Sequence, residues 1–212
     1  MPAPYRAAVV TVSDSVAQGS GEDLSGPAVR EILEGAGWSV TSAEVLPDDF
    51  SLLRERLSAL ASDAGVDAVF TTGGTGLGPR DRTPEATTAV LERSLPGVAE
   101  VMRRVGLGRT PRAALSRAVA GVKGKSLLIN LPGAPEGARD SLNAILEILP
   151  HAVDVIRGVM AHPTPAEEPV AAEAVPQAPL PSGDSPEDAS PADSPGEQNP
   201  ETEAPDLPST PE

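Results

Sequence analysis

The sequence predicts an α/β fold, a three-layer sandwich built on a mostly parallel sheet and followed by a disordered C-terminal tail. Three observations carry that expectation. Short apolar, β-branched runs alternate with segments of helical periodicity over the first 70 or so residues, the pattern of parallel βαβ units. A polar or glycine-rich segment follows each run, where a loop would leave the sheet. Composition then changes abruptly near residue 164.

The first run, AAVVTVS (7–13), reads as a buried strand. The segment GSGEDLSG leads into a helix with Ser25 as N-cap, Pro27 near the first turn, and Val29, Ile32, Leu33 and Ala36 along one face; Gly37 ends it. WSVTSAEVLP (38–47) is the second strand. A helix over about 51–64 repeats Leu53, Leu57, Leu60 and Ala61 at helical spacing, and VDAVFTT (66–72) is the third strand. After the loop GGTGLGPRDR, Thr83-Pro84-Glu85 starts a helix: Thr as cap, Pro at the first position, an acid at the positive end. Helical patterns cover roughly 84–93 and 97–106. AVAGVK and KSLLINLP (118–132) predict two strands around a turn at Gly124. Leu142, Ile145, Leu146, Leu149, Val153 and Ile156 mark a last helix, kinked at Pro150.

These elements assign residues 1–163 to one α/β domain and 164–212 to a tail. The tail holds twelve of the 31 acidic residues and twelve prolines, with no basic and no aromatic residue. That leaves 19 acids against 16 bases in the domain, so the chain's net charge of −15 is mainly a property of the tail. Such a segment has too little apolar surface to offset the entropy of ordering, and it repels itself. Disorder is the expectation.

Composition also excludes chemistries. Without cysteine there is no disulfide, thiolate metal site or thiol nucleophile, which fits a cytoplasmic location. The N-terminus lacks a basic region followed by a long apolar run, so no signal peptide is expected. No run approaches the ~18 apolar residues that span a membrane. Aromatic residues make up 2%, which argues against the stacking platforms of single-stranded nucleic-acid binding. His151 and His162 have no metal-ligand spacing.

In open parallel sheets ligands bind beyond the carboxyl ends of the strands. Four segments leave predicted strands there: Ser13-Asp14-Ser15, Pro47-Asp48-Asp49, Thr72-Gly73-Gly74-Thr75-Gly76 and Asn130-Leu131-Pro132-Gly133. The glycine loop lets backbone N–H groups approach an anionic oxygen, with Thr75 as a hydroxyl donor and the helix start at Thr83-Pro84 as a further source of N–H groups. The same spacing also describes a plain tight turn. It is neither a Walker A loop nor a dinucleotide fingerprint. Asp48, Asp49 and Asp81, the last between Arg80 and Arg82, supply what Mg²⁺-dependent phosphoryl transfer requires. The alternative is that Asp49 caps the next helix and Asp81 pairs with its arginine neighbours. Ser116-Arg117 either presents a hydroxyl and a cation to an anion or forms a helix-to-strand junction. Lys123 and Lys125 flank a turn and are expected to be solvated.

The run TTGGTGLGPRDRTPEAT (71–87) resembles the signature of the molybdopterin-binding family of the MogA/MoaB type. VVTVSDS…GEDLSGP (9–27), LPDD (46–49) and ALSRAVAGV…LLINLPGAPEGARDSL (114–142) agree with it in the same order, over roughly residues 5–158. A related domain of competence-damage and nucleotide-processing proteins has a similar loop, but the continuation R-D-R-T-P-E-A suits the molybdopterin branch. The resemblance implies Mg²⁺- and ATP-dependent adenylylation of molybdopterin, in a homotrimer or homohexamer with no nucleic-acid or membrane partner. It implies Asp48 and Asp81 as catalytic and metal-associated residues. It also implies a substrate-binding set: Ser13, Asp14, Ser25, Gly26, Thr72, Gly73, Gly74, Thr75, Gly76, Ser116, Pro132 and Gly133. A non-catalytic member that binds and passes on molybdopterin or a precursor would use the same fold and loop.

Overall fold

A computed structural model describes residues 5–159. The expected disorder of 164–212 and the reading of His162 lie outside those residues.

Six strands form one sheet: β1 (Arg6–Val12), β2 (Ser39–Leu46), β3 (Ala68–Thr72), β4 (Arg93–Ser94), β5 (Ala120–Lys123) and β6 (Ser126–Leu131). Their order is β2-β1-β3-β6-β5-β4. The first four in that order run parallel. At the other margin β5 is antiparallel to β6 and β4 to β5, so the sheet is mixed. The β5–β6 hairpin turns at Gly124, whose φ of +56° a glycine adopts without steric cost. Strand β4 has no counterpart in the sequence reading, because two exposed residues show no alternation.

Alternation in the central strands assigns each residue to a face. Ala7 and Val9 of β1, Phe70 of β3 and Leu127, Ile129 and Leu131 of β6 face one layer; Ala8, Val10, Val69 and Leu128 face the other. The first layer is α2 (Ser25–Gly35), α5 (Pro96–Arg109), α6 (Pro135–Ile145) and α7 (Leu149–Arg157), through Val29, Leu33, Met102, Leu142, Ile145 and Val153. The second is α3 (Phe50–Ser62) and α4 (Thr83–Thr88), through Leu53, Leu57, Leu60 and Ala86. Burying a leucine such as Leu53 or Leu57 contributes about 1.5–3 kcal/mol. A short α1 (Asp14–Ala17) follows β1 directly. Three of the four aromatic residues gather in one place: Trp38 lies 5.1 Å from Tyr5 and 6.2 Å, edge-on, from Phe70.

Local readings shift by small steps. Ser25 is the first helical residue rather than the cap; Asp23 accepts the Gly26 N–H (2.9 Å) and does the capping. Ala36 lies past the end of α2 and is exposed, and Gly37 (φ +84°) stops the helix as expected. The last helix breaks ahead of Pro150, in a 3₁₀ turn at Leu146–Ile148, and the proline sits in the first turn of α7 where its missing N–H costs nothing.

The connections from β1 and from β3 leave in opposite directions along the sheet, so the topological switch point lies between these two strands. At the amino-terminal end of β3, Asp67 is buried, accepts the Arg6 N–H at 2.8 Å and pairs with Arg6 and Arg157. Among the described residues no helix is long and apolar enough to cross a membrane.

Candidate functional site

At the carboxyl ends of β1, β2, β3 and β6 the four loops converge. A polar cleft of roughly 360 Å³ is lined by Ser13, Ser25, Asp48, Thr72, Gly73, Gly74, Asp81 and Gly133, together with Ser15 and Asp23. Its floor is the glycine turn. Gly73 (φ +105°) is pressed against the carbonyl of Val12, and Gly133 packs so that a Cβ there would be 3.1 Å from the Gly73 Cα. At Gly74 (φ +62°) a Cβ would collide with Thr83 Oγ1 and stand 2.7 Å from Asp48 Oδ1. Two glycines are therefore needed, one for the strand beside it and one for the acid above it.

The predicted site residues divide at this turn. Thr75, Gly76, Ser116 and Pro132 line a second, apolar cavity, also of roughly 360 Å³, between α5 and α6. Met102, Arg103, Arg109 and Asp140 complete its walls. Gly26 lies under α2, where a Cβ would collide with Thr11 and Asp23; it lines neither cavity. The Thr72 hydroxyl donates to the Pro132 carbonyl (2.7 Å) and ties β3 to the loop after β6. Ser13 caps α1. Asp49 caps α3, its Oδ1 accepting the Leu52 N–H at 2.8 Å, which leaves Asp48 as the acid that faces the cleft.

Asp48 is the electrostatic centre. Half-buried, its Oδ1 has no hydrogen-bond partner. Burial pushes its carboxyl above the ordinary range, and the charge of Asp14 pushes it further, as does that of Asp81. Asp14 is turned the other way: Arg80 binds it through two nitrogens and holds its carboxyl below the usual range. Asp14 Oδ1 also accepts the Asp48 N–H (3.1 Å), and Arg80 reaches the Asp48 carbonyl at 3.3 Å. Asp81 makes no ion pair with Arg80 or Arg82; its Oδ2 accepts the Gly78 N–H at 2.7 Å. Asp81 lines the same cleft as Asp48, next to the same glycine turn.

Thr83 departs from its expected role. It is the first residue of α4, and Arg82 stands at the cap. Its fully buried hydroxyl makes no hydrogen bond and is directed at Gly74, on the side where Asp48 Oδ1 lies. Helix α4 is held from below by Asn130, which donates to Thr71 Oγ1 (2.9 Å) and Thr87 Oγ1 (2.8 Å). Arg117 also turns inward rather than toward a ligand, onto Gly76, Asp81 and Glu85. Nothing in its local sequence separates the two orientations. His151 is exposed on α7 and Lys125 is exposed, whereas Lys123 bonds Ser58 Oγ.

Among the described residues no three acids or histidines enclose a cation by themselves. Mg²⁺ does not require that. It is commonly held by one or two carboxylates with water and substrate phosphate oxygens completing its shell. The unpartnered Asp48 oxygen beside Asp81 fits such a site.

Residues 8–151 match the family described as "Probable molybdopterin binding domain". The chain belongs to the molybdopterin-binding family. It is 41% identical over 152 residues to a molybdopterin adenylyltransferase of Helicobacter pylori, covering 71% of this chain and 86% of that protein. The molybdopterin adenylyltransferase of Escherichia coli is 36% identical over 142 residues, 66% of this chain and 73% of its own. The crystal structure of the molybdopterin biosynthesis enzyme MoaB of Thermus thermophilus superposes with a TM-score of 0.69 at 49% identity, covering 73% and 97% of the two chains. A family relationship carried over this span accounts for four ordered motifs meeting at one sheet edge.

Proposed function

We propose that the chain is a molybdopterin adenylyltransferase acting in molybdenum cofactor biosynthesis, with Mg²⁺ and ATP. One observation carries the reading: a half-buried carboxylate oxygen, Asp48 Oδ1, is left without a partner beside a glycine turn that a second acid also borders. A fold retains an uncompensated acid at a cost, and a bound cation offsets that cost.

Two cavities flank the turn, one polar and one apolar, which gives two large substrates separate places on either side of it. In this reading the phosphoryl groups meet at Gly73–Gly76 and one ring system lies to each side. The terminal phosphate of molybdopterin attacks the α-phosphorus of ATP. A new P–O–P bond forms, the α–β bridge breaks, and pyrophosphate leaves. Gly73 and Gly74 bring backbone close to the phosphate oxygens, and the Ser13 hydroxyl borders the same space. Asp48 and Asp81 hold Mg²⁺, which supplies charge neutralisation for the two anions when bound. No protein base is needed, because a phosphate nucleophile is already ionised and positioning supplies most of the rate. We place the chain in the cytoplasm as a homotrimer or homohexamer. Val101 and Val105, exposed four residues apart on α5, are apolar side chains open to such a contact.

The test is pyrophosphate release from ATP and molybdopterin, with and without Mg²⁺, for the wild type, Asp48→Asn and Asp81→Asn. Turnover that needs Mg²⁺ and both acids is the expected result. Binding of molybdopterin without release would identify a carrier instead.

A further inference from the structure

The segment from Gly76 to Asp81 reaches out over the cleft and carries Asp81, one of the acids that line it. Leu77, Gly78, Pro79 and Arg80 are all exposed, so apolar packing does not hold it. Its internal bonds, Asp81 N–H to the Gly78 carbonyl (3.0 Å) and Gly78 N–H to Asp81 Oδ2, fix the shape of the turn without fixing its direction. Direction comes from outside.

Two guanidinium groups supply it: that of Arg80, within the segment, binds Asp14 and reaches the Asp48 carbonyl, and that of Arg117 holds both ends. Arg117 Nε donates to the Gly76 carbonyl at 2.6 Å, Nη2 to the Asp81 carbonyl, and Nη1 to Glu85 Oε1 on α4. The Arg117 backbone N–H adds a bond to the Thr75 carbonyl at 3.0 Å. The first and last residues of the segment are thus tied to one planar group, which α4 anchors through Glu85. Burial alone would raise the Glu85 carboxyl, but the hydrogen bond from Arg117 brings it below the ordinary range, so the anchor is ionised. An arginine presents five N–H donors in a rigid fork, and a lysine cannot reach three acceptors spread in this way.

We propose that Arg117 is a positioning residue: by clamping both ends of the Gly76–Asp81 segment to α4, it sets the Asp81 carboxylate over the cleft that Asp48 faces. This rests on the reading of Asp48 and Asp81 as holders of a divalent cation. Arg117 itself lines neither cavity. Its effect falls on how tightly the two acids bind the cation together.

The experiment is Mn²⁺ binding to the full chain, followed by the loss of the free-ion EPR signal, for the wild type, Asp48→Asn, Arg117→Lys and Glu85→Gln. Arg117→Lys is expected to weaken Mn²⁺ binding about tenfold, the size of effect seen when the support of a metal-binding group is lost. Glu85→Gln shifts it the same way by less, and keeps the test decisive if the lysine variant does not fold. Pyrophosphate release by Arg117→Lys then recovers as Mg²⁺ is raised, moving the half-activating concentration more than kcat. Mn²⁺ binding within twofold of wild type in both variants, whatever their melting temperatures, overturns the proposal. A wild type that binds no Mn²⁺ removes the cation site itself, and a wild type that binds while Asp48→Asn does not secures it independently of Arg117.

Discussion

Asp67 and Asp48 stand at opposite ends of the parallel strands, both drawn partly out of water, and the fold treats them in opposite ways. Asp67, at the amino-terminal end of β3, receives a backbone N–H and two guanidinium groups. Burial would raise its carboxyl, but these partners bring it below the ordinary value. Asp48, past the carboxyl end of β2, has one bare oxygen and two acidic neighbours, and its carboxyl is raised. The same cost of desolvation is therefore met within the chain at one end of the sheet and left unmet at the other. An acid left without a partner within the chain is a candidate for a functional site.

The widest separation between the two should come from removing each charge. Asp48→Asn is expected to lower turnover about 10²–10³-fold, the range for losing one preorganised electrostatic group. It should nevertheless raise the melting temperature of the ligand-free protein at neutral pH. A raised carboxyl disfavours the ionised folded state, so stability is intact below the ordinary value of 3.8 and is lost as pH climbs through the raised one. The gain from Asn therefore vanishes in acid. Asp67→Asn should do the reverse, costing about 2–3 kcal/mol in chemical denaturation, reduced from a fully buried pair because both arginines are about a third exposed. The depressed Asp67 carboxyl contributes stability above 3.8 that disappears as pH falls through its folded value. An Asp48→Asn protein that melts below wild type at pH 7 would erase the contrast.

A smaller effect separates two glycines of similar backbone. Gly124 (φ +56°) has open space where a Cβ would go, and Gly124→Ala should cost about 1 kcal/mol of left-handed strain. Gly74→Ala carries that strain and adds about 1–3 kcal/mol for displacing Thr83 and Asp48. Urea midpoints and pyrophosphate release together check this, since only the second variant should lose activity. The least perturbing change is Arg80→Gln. It should let the Asp14 carboxyl rise toward 3.8 in an NMR pH titration while the urea midpoint barely moves, because Arg80 is 65% exposed. An unmoved Asp14 would show that Arg80 does not set its charge.

Much of the fold was legible because both faces of the sheet are buried. Mainly apolar runs at 7–13, 66–72 and 126–132 read as interior strands, and Gly37 and Gly124 fall where the backbone needs a left-handed residue. What escaped was short or depended on distant partners. Strand β4 exists only because β5 pairs with it, and α1 is a single turn. Asp48 was legible from its place after β2 and Asp81 from its place beside the glycine loop, whereas Asp23 and Glu22, which line the same cleft, carry no local signal. The division of the substrate set into two cavities was not, because Gly74 and Thr75, adjacent in sequence, face opposite sides of one turn. Thr83 shows the same limit on a finer scale. A threonine before a proline is a good helix cap on local grounds, yet a one-residue displacement turns its hydroxyl toward Gly74 and the acid beyond it.

The press of Gly73 against the Val12 carbonyl bears on how this architecture can be altered. A floor made from main chain cannot be deepened or raised by exchanging side chains, since every residue larger than glycine would wedge β1 away from β3. Any change in the size of the molecule accommodated must come from the rims, the largely exposed segments 19–22 and 110–115. Reshaping such a basin means leaving its bottom alone and rebuilding its shores.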